Sequence, residues 1–515
     1  MLPQASGFIT KYDDGDKFFG GFGETQLLTA DYWTLRQRSA QLFETNLYAR
    51  GLIRRLITNE INTGLHLEAQ PEEAILGLEE DSLAEWTEDV ENRFALWERD
   101  PWLCDHAEMH SFGALQSIAR MESLIVGDVL VMMRQNRATG TPRIQLINGS
   151  SVRTPPGARV RAGHRVTHGV EIDPQGRHVA FWVTQADGTS LRVPAYGERS
   201  GRRLAWLVYG TDRRLDDVRG KPILSLILQS LREIDRYRDS AQRKAVLNSM
   251  LAMFVSKSEE RAGTRPLTAG AVRRDSVVAN DGSAGQSPRR FAVAEHIPGL
   301  VLDELQVGEE PKAFPSNGTD ERFGVFEESI IQAVAWANEI PPEILRLSFS
   351  SNYSASQAAI NEFKMYLNKV RTSFGNAFCQ PIYVEWLVAA ALARKINAPG
   401  LLEAWRSSRL YDEFGAWSAA DWSGHIKPAV DMSKLVRGYD ALIASGLITR
   451  DRAARELTGM KFSKIAKQLN RENEALAIAL EPLTRDRSAE AQPSSPVRSV
   501  ARSTKEARLH VADSQ

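Results

Sequence analysis

Apolar residues recur at spacings of three and four in the stretch 321–340, with polar and charged residues between them. This spacing predicts an amphipathic helix with a single apolar stripe. The stripe consists of Phe323, Phe326, Ile330, Val334 and Ala337. Pro341 and Pro342 end the helix, because proline cannot continue the hydrogen-bond ladder and disfavours helical geometry in the residue before it.

A second helical pattern follows a short polar loop. The loop is rich in small hydroxyl and amide side chains, and Ser354 or Ser356 at its end can cap the next helix. That helix continues to Ile396 and contains Pro381, which predicts a kink and not a straight rod. The rest of the chain is organised around this unit of helix, loop and kinked helix.

Another long helical pattern begins at Gly220 and continues to Val255. Pro222 is tolerated near its start, since the first helical residues need no backbone donor. The apolar stripe is formed by Ile223, Ile227, Leu231 and Ile234. A helix of this length is a rod of about 50 Å, far longer than the average helix of about 11–12 residues.

Short alternating runs between Val129 and Tyr209 predict strands instead of helices. They are separated by Asn148-Gly149, Asp173-Pro174 and Asp187-Gly188, which are typical of tight turns. This region is predicted to be an antiparallel β subdomain. Helical patterns precede it, with one predicted helix over 31–61 and mainly helix over 71–126. The predicted fold class is therefore α+β, mainly α.

Length, charge and cysteine content narrow the class of protein. The 515 residues predict about three domains or one elongated subunit of several parts. The 64 lysines and arginines nearly balance the 65 aspartates and glutamates, which disfavours a basic protein that wraps nucleic acid. Only two cysteines occur, far apart, which indicates a reducing compartment. No leader opens the chain, and the apolar run Trp386–Ala393 is too short for a bilayer, so we expect a soluble intracellular protein without a membrane partner.

The usual loop for nucleotide hydrolysis is missing from the sequence. Gly220-Lys221 is the nearest match to a phosphate loop, but Leu215 stands where the pattern requires glycine. Pro222 also follows where serine or threonine is needed. We therefore expect no nucleotide cofactor.

Two histidine pairs were considered as metal sites. His106 and His110 have the spacing of zinc ligands on a helix, but the glutamate between them is not at the HExxH position. We interpret them as a pair on a helix surface. His164 and His168 lie in a strand-and-turn region, where this spacing does not share a face. We therefore predict no metal, no cofactor, no catalytic residue and no enzymatic activity.

Several of these segments, in their order along the chain, resemble a known family. The sequence IPPEIL (340–345) is followed by SNYSASQAAINEFK (351–364), and a later segment runs from His425 to Met460. Together they resemble the portal proteins of tailed double-stranded DNA bacteriophages, of the lambda type, over roughly Tyr32–Ala477. In the later segment the tetrad 431–434 reads Asp-Met-Ser-Lys, which departs from the Asp-Pro-Lys-Glu-like tetrad of the family.

The resemblance implies a portal fold, with an elongated subunit that assembles into a ring. The implied regions are a mobile N-terminal arm (1–30), a wing of helices and antiparallel β-structure (31–220), a first stem helix (221–255), a clip (256–319), a second stem helix (320–340), a tunnel loop (341–355), a long kinked helix of the wing (356–398), a crown or C-terminal helical region (399–483) and a disordered tail (484–515).

The resemblance also implies two sets of functional residues. In the tunnel loop the DNA-facing residues are expected to be Arg346, Ser348, Ser350, Ser351, Asn352 and Tyr353. Small hydroxyls and an amide suit weak, sequence-independent contacts with phosphates. The alternative is an ordinary surface connection between helices. In the clip the partner-docking residues are expected to be Arg265, Arg273, Arg274, Arg289 and Arg290. The alternative there is a solvated flexible loop.

The function implied by the resemblance is mechanical. Copies form a ring, a dodecamer in this family, at one capsid vertex of the virion after assembly in the host cytoplasm. The expected partners are other copies of the chain, double-stranded DNA, the terminase large subunit, the major capsid or scaffold protein and a head-completion adaptor. Another subunit would supply the work of DNA movement. Two other classes stay open, a DNA-acting hydrolase or nuclease with an unrecognised site and a monomeric capsid-associated scaffold or adaptor.

Overall fold

The structure, a computed structural model, is mainly helical with several small antiparallel sheets, which confirms the predicted fold class. It divides into two compact units, residues 1–425 and 426–515, which are described separately. The described residues are 29–136, 139–198, 200–213, 217–250, 253–257, 309–313, 321–347, 353–407, 411–424, 432–458 and 462–490.

Thirteen α-helices of the first unit lie within these described ranges. They are α1 (Thr29–Thr45), α2 (Leu47–Glu60), α3 (Glu73–Leu76), α4 (Glu80–Arg99), α5 (Pro101–Cys104), α6 (Phe112–Val126), α7 (Leu228–Met250), α8 (Glu321–Ala337), α9 (Pro342–Arg346), α10 (Tyr353–Phe374), α11 (Gln380–Leu392), α12 (Leu401–Arg406) and α13 (Glu413–Ser418). Short 3₁₀ turns cover Gly149–Ser151 and Ile223–Ser225.

The strands form antiparallel ladders. They are β1 (His66–Ala69), β2 (Asp128–Gln135), β3 (Pro142–Asn148), β4 (Arg165–Thr167), β5 (Val170–Ile172), β6 (His178–Thr184), β7 (Ser190–Pro194), β8 (Ala205–Tyr209), β9 (Met253–Lys257), β10 (Glu309–Ala313) and β11 (Ala420–Ser423). The sheet orders are β3-β2-β8 and β4-β5-β6-β7, with two further pairs, β1-β11 and β9-β10.

The predicted β subdomain is confirmed between β2 and β8. Its two sheets share a core of buried side chains that includes Leu130, Phe181 and Val193. The predicted turns are present and have local causes. The Asp173 carboxylate accepts hydrogen bonds from the Gln175 and Arg177 amides at 3.0 and 2.8 Å, so the side chain itself holds the β5–β6 turn.

The single helix predicted over 31–61 is wrong, because the helix is broken at Asn46. This residue has extended backbone angles, and its side-chain oxygen accepts a hydrogen bond from the Ala49 amide at 2.8 Å. It therefore acts as an N-cap and starts α2 afresh. Leu35, Leu42 and Leu52 are buried on either side of the break, so the apolar pattern alone continues through it.

The helix predicted from Gly220 to Val255 is shorter in the structure. It begins at Leu228, after the 3₁₀ turn, and ends at Met250, where β9 follows. β9 pairs with β10 in an antiparallel register that places Lys257 opposite Glu309. This non-local pairing overrides the helical pattern of the segment. The predicted stripe of Ile223, Ile227, Leu231 and Ile234 is buried throughout.

The predicted irregularity at Pro381 takes the form of a π-helical turn over Gly375–Cys379, between α10 and α11. Proline has no N–H, so it cannot donate to the carbonyl oxygen of Ala377 four residues earlier. The indole Nε1 of Trp206 donates to that oxygen instead, at 2.9 Å. The β8 strand thereby satisfies an acceptor that the proline leaves open.

Residues after Pro399 belong partly to the first unit, although the sequence predicted a separate region from 399. β11 pairs with β1, and Leu401, Phe414 and Trp417 are buried in the same core as α4 and α6. The second unit contains α14 (Met432–Ala444), α15 (Arg450–Thr458) and α16 (Phe462–Glu490). A glycine turn with positive φ at Gly446 follows α14.

Candidate functional site

The helix α8 ends in a compact turn that aims the chain into α9. Asn338 donates from Nδ2 to the Val334 carbonyl oxygen at 2.7 Å, and the Ile340 amide donates to Ala335 at 3.0 Å. Glu339 has a φ of 54°, the left-handed conformation that commonly ends a helix. Pro342 then opens α9, where a missing N–H has no cost.

α9 lies within the candidate tunnel loop, residues 341–355, and ends in a left-handed step. Leu347 has a φ of 56°, so the chain leaves the helix in a left-handed step. Arg346 Nη1 lies 2.8 Å from Glu328 Oε1 on α8, in an ion pair with both side chains partly exposed. The structure therefore gives Arg346 an internal acidic partner.

Most of the predicted site residues lie outside the described residues. These are Ser348, Ser350, Ser351 and Asn352 of the loop, the side chain of Tyr353, and all five clip arginines, Arg265, Arg273, Arg274, Arg289 and Arg290. For the predicted clip, β9 and β10 bring the chain ends on either side of residues 258–308 together.

The paired helices α7 and α8 carry this region and are tied to α2. The rings of Tyr237 and Phe326 pack with centroids 5.1 Å apart. Tyr48 donates from its hydroxyl to Glu327 Oε1 at 2.6 Å. Burial and this bond to a carboxylate raise the pKa of Tyr48 to about 12, so the phenol keeps its proton and stays a donor at neutral pH.

Only part of the apolar stripe predicted for α8 lies on the buried face of the helix. Ile330 and Val334 pack in the core with Leu231 of α7 and Phe363 of α10. Ala337, predicted to be buried, is exposed. The Phe323 side chain lies outside the described part of the structure. The buried face is rotated toward Ile331, Val334 and Ala335.

An open groove of about 660 Å³ lies between the end of α8, the start of α9 and α10. Three carboxylates line it, from Glu339, Glu343 and Glu362, together with Trp336, Met365 and Lys369. Glu343 Oε2 is a buried atom without a hydrogen-bond partner among the described residues. The groove combines negative charge with exposed apolar surface.

A buried ionic node sets the position of the chain before α7. Asp128, fully buried at the start of β2, binds Arg36 of α1 at 2.7 Å and Arg219 at 2.7 Å. Burial alone would raise the pKa of the Asp128 carboxyl, but Arg219 and Arg36 outweigh burial and hold that pKa well below its usual range. The carboxylate also accepts from the Gly220 amide at 2.9 Å.

Backbone contact reinforces this node. A Cβ atom added to Gly220 would lie 1.9 Å from the carbonyl oxygen of Gly127, so the two chain segments meet with no room for a side chain. His168 stacks on Tyr32, with ring centroids 4.3 Å apart, beside the same arginines. Burial, together with Arg219 and Arg36, lowers the pKa of His168 to about 4.

A second buried network anchors α10, the helix that follows the loop. Glu60 of α2 pairs with Arg120 Nε at 2.6 Å and accepts from the Tyr366 hydroxyl at 2.9 Å. Arg371 donates to the backbone oxygens of Asn59 and Glu60, each at 2.9 Å. The Arg346–Glu328 ion pair thus ties the first part of the candidate tunnel loop to α8, and this network anchors the second half of α10.

The histidine pair His106 and His110 lies in a loop and not on a helix, which corrects the expected helix surface. The Asp105 carboxylate accepts from the amides of residues 107, 109 and 110, each at 3.0 Å, and so shapes the loop. His164 pairs with Glu171 at 2.9 Å. Within the described ranges, no group of three His, Cys, Asp or Glu residues is arranged to hold a metal ion.

The helices of the described segments include none with the length and apolar character that crossing a bilayer requires. Cys104 and Cys379 are both buried and free.

Sequence reasoning missed the residue of α8 that stands out most in the structure. Trp336 is 86% exposed, although it lies in a helix whose other large apolar residues are mostly covered. The signal was present in the sequence, because Trp336 falls off the apolar stripe that predicts the helix.

Known proteins are similar in sequence to about three fifths of this chain. Residues 20–371 match the model of the phage portal protein, lambda family. The chain is 22% identical over 323 residues to Portal protein B of Escherichia phage lambda, covering 61% of this chain and 59% of that protein. It is 21% identical over 322 residues to the portal protein of Escherichia phage N15, covering 61% and 60%. The chain thus spans about three fifths of the length of these two relatives.

Solved structures show only a distant likeness. The neck of a native GTA particle computed with C12 symmetry aligns with a TM-score of 0.39 and 13% identity, over 83% of this chain and 92% of that chain. The neck of the empty GTA particle computed with C6 symmetry gives 0.40 and 13%, over 84% and 95%. The family match rests on sequence, and its 20–371 span includes α1 to α9 and nearly all of α10. The chain belongs to the lambda family of phage portal proteins.

Proposed function

We propose that copies of this chain assemble into a closed ring, twelve by family resemblance, at one vertex of a phage capsid. The ring is the channel through which double-stranded DNA is packaged and ejected. It docks the terminase large subunit during packaging and an adaptor protein afterwards, and it contacts the major capsid or scaffold protein. The role is structural, and the packaging work comes from another subunit.

The single observation that carries this proposal is the family match over residues 20–371. A feature of the described structure supports it. The outer side of α8 presents Val325 and Trp336, 70% and 86% exposed, three turns apart on one face. Large apolar residues aligned on one face of a helix favour association, because covering them removes apolar surface from water.

Within this proposal the regions keep the roles that the resemblance implies. α7 and α8 are the stem, the chain from Pro341 to residue 355 is the tunnel loop, and 256–319 is the clip. Ser348, Ser350, Ser351, Asn352 and Tyr353 face the DNA, and the clip arginines dock an acidic partner. The Arg346–Glu328 ion pair ties the first part of the loop to α8, which suits a short segment that must stay in place while DNA slides past.

Arg346 has a more specific role in the proposal. Its pairing with Glu328 lowers the free positive charge at the loop, and a weakly cationic bore holds DNA less firmly through counterion release. Freeing Arg346 by Glu328→Gln should therefore slow DNA passage, and Arg346→Gln should not. Packaging of a full-length genome by rings of each variant distinguishes them.

The proposal is tested by measuring the mass of the purified chain by mass photometry and imaging it by negative stain. Closed rings with a central opening are the expected result. A mass of one subunit at every concentration would favour a monomeric adaptor, and metal-dependent DNA cleavage by the pure chain would favour a nuclease.

A second test removes the loop. Replacing residues 348–352 by a glycine-serine linker of equal length should leave rings intact and impair packaging or retention of DNA. Loss of rings in that variant would contradict the tunnel-loop assignment, since a segment lining the bore is not needed for contact between subunits.

A further inference from the structure

Two faces of the first unit carry opposite charge and lack a partner within the described part of the chain. The first is the α7 outer face, defined as Leu226, Gln229, Arg232, Arg236, Ser240 and Arg243. These residues are all exposed, and they recur at spacings of three and four, so they share one side of α7 and the turn that leads into it. That side is opposite the buried stripe of Ile227, Leu231 and Ile234.

The charge of the α7 outer face is positive on balance. It carries three arginines against two exposed carboxylates at its edges, Asp239 and Glu233, of which Glu233 accepts a hydrogen bond from Gln229 at 3.4 Å. Among the described residues no acidic side chain pairs with Arg232, Arg236 or Arg243, whereas the neighbouring Arg238 pairs with Asp235 at 3.3 Å. The face also begins with an exposed apolar residue, Leu226, at 64%.

The second face is the acidic groove beside the end of α8, defined as Trp336, Glu339, Glu343, Glu362 and Met365 with Lys369 at its margin. Its three carboxylates outnumber its one lysine. Lys369 lies 3.8 Å from Glu339 but also 3.5 Å from Asp212, which leaves the groove negative. The buried, unpartnered oxygen of Glu343 needs a donor, because an unpaired buried acceptor carries a desolvation cost.

The two faces are complementary in chemistry as well as charge. Trp336 offers an indole face that is 86% exposed, and an arginine guanidinium stacks favourably on such a ring. Met365, 61% exposed, adds a flexible apolar contact suited to a residue like Leu226. Arginine is also enriched, with tryptophan, among the residues that contribute most to interfaces.

We propose that the acidic groove of one copy binds the α7 outer face of a second copy, with Trp336 against Arg232 and Arg236. The two faces are different surfaces, so each copy offers one to the copy before it and one to the copy after it. Such head-to-tail contacts build a ring when the rotation closes. This inference rests on the proposed ring and names the surfaces that hold it together.

The test uses charge reversal with rescue in the full-length chain. Arg232→Glu with Arg236→Glu reverses the α7 outer face, and Glu339→Lys with Glu362→Lys reverses the groove. A chain carrying all four changes has the swapped pair at every interface. The matched control is Arg159→Glu with Arg161→Glu, two exposed arginines of the β subdomain that change the net charge by the same amount. Circular-dichroism melting verifies that each variant is folded.

Each reversal alone is expected to raise the concentration at which half of the chain is assembled by about tenfold or more, because like charges then face each other. The variant that carries all four changes should regain most of the lost assembly, and the control should assemble at the same concentration as wild type. The proposed interface is overturned if the wild-type chain forms rings and both reversals assemble equally well, or if the combined variant is not rescued. In either case the proposed ring itself is retained. A wild-type chain that stays monomeric overturns the ring itself.

Discussion

The node around Asp128 and the outer side of α8 differ in how far the chain covers and pairs its own side chains. At the node, a carboxylate with no solvent exposure binds arginines that lie about ninety residues away in either direction along the chain. On α8, Trp336 is left almost fully exposed beside Glu343 and Glu362, which form no ion pair with any residue that the structure describes. The chain pairs its buried carboxylate by itself, whereas the outer face of α8 stays uncovered. In the proposed ring, a neighbouring copy covers this outer face.

The largest expected effect comes from breaking the node. Asp128→Ala leaves Arg36 and Arg219 buried without their carboxylate, which should lower the free energy of unfolding by about 3–5 kcal/mol. Urea unfolding below the assembly concentration measures it. Asp89→Ala is the control, since Asp89 and Arg93 form an exposed pair whose loss should cost about 0.5 kcal/mol or less. A loss below about 1 kcal/mol for Asp128→Ala would contradict a tightly coupled interior.

The second-largest expected effect is a pH dependence of the unfolding free energy, caused by His168 beside the same node. The pKa of His168 is about 4 in the folded chain, against about 6.5 when unfolded, so only the unfolded chain binds the proton in this window. Stability should therefore fall as pH drops from 6.5 to 4, by about 1–3 kcal/mol from this group. His178, whose pKa burial also lowers to about 4, acts in the same direction.

The matched variant is His168→Asn, which removes the titrating group. Asparagine tolerates the left-handed backbone at this position, where φ is 49°. Its unfolding free energy should change less with pH than that of wild type across the window. Equal slopes for the two proteins would show that His168 does not titrate as its burial implies.

A smaller effect is expected at the break between α1 and α2. Asn46→Ala removes the cap on the Ala49 amide and should destabilise the chain by about 1 kcal/mol. Asn46→Ser keeps a capping oxygen and should recover most of the loss. Thermal melting of the two variants measures the difference, and an equal drop in both would mean that the contact of Asn46 with Asp235 matters more than the cap.

The smallest effect on stability is expected on the outer face of α8. Trp336→Ser removes a side chain that touches little of its own chain, so the unfolding free energy of the monomer should change by about 0.5 kcal/mol or less. Assembly should nonetheless weaken, because the interface loses its aromatic residue. A large loss of monomer stability, with assembly unchanged, would assign Trp336 to the interior.

Local chemistry made much of the fold predictable. The turn at Pro341-Pro342, the β turns at Asp173 and Asp187, and the irregular helix at Pro381 each depend on residues within a few positions of one another. The sequence also predicted correctly that the stretch from β2 to β8 forms antiparallel strands. The family resemblance also depends on short segments, one of which, 340–345, contains the Pro341-Pro342 turn.

The parts that could not be predicted depend on distant partners. The sequence of β9 predicts a helix, and the segment is a strand because it pairs with β10. Likewise, β1 pairs with β11, which lies some 350 residues away in the chain. Asp128 follows Gly127, a pair of residues typical of an exposed turn. In the structure it is buried, because Arg36 and Arg219 both bind its carboxylate. For the site, the sequence places Trp336 off the apolar stripe, but only the structure shows that the described part of the chain leaves it uncovered.

The most direct test of the account is the structure of the assembled particle by cryo-electron microscopy. We predict a closed ring in which Trp336 of each copy lies against Arg232 and Arg236 of the adjacent copy, with the acidic groove filled. A ring in which Trp336 faces solvent or the bore, and the α7 outer face contacts no neighbouring copy, would contradict it.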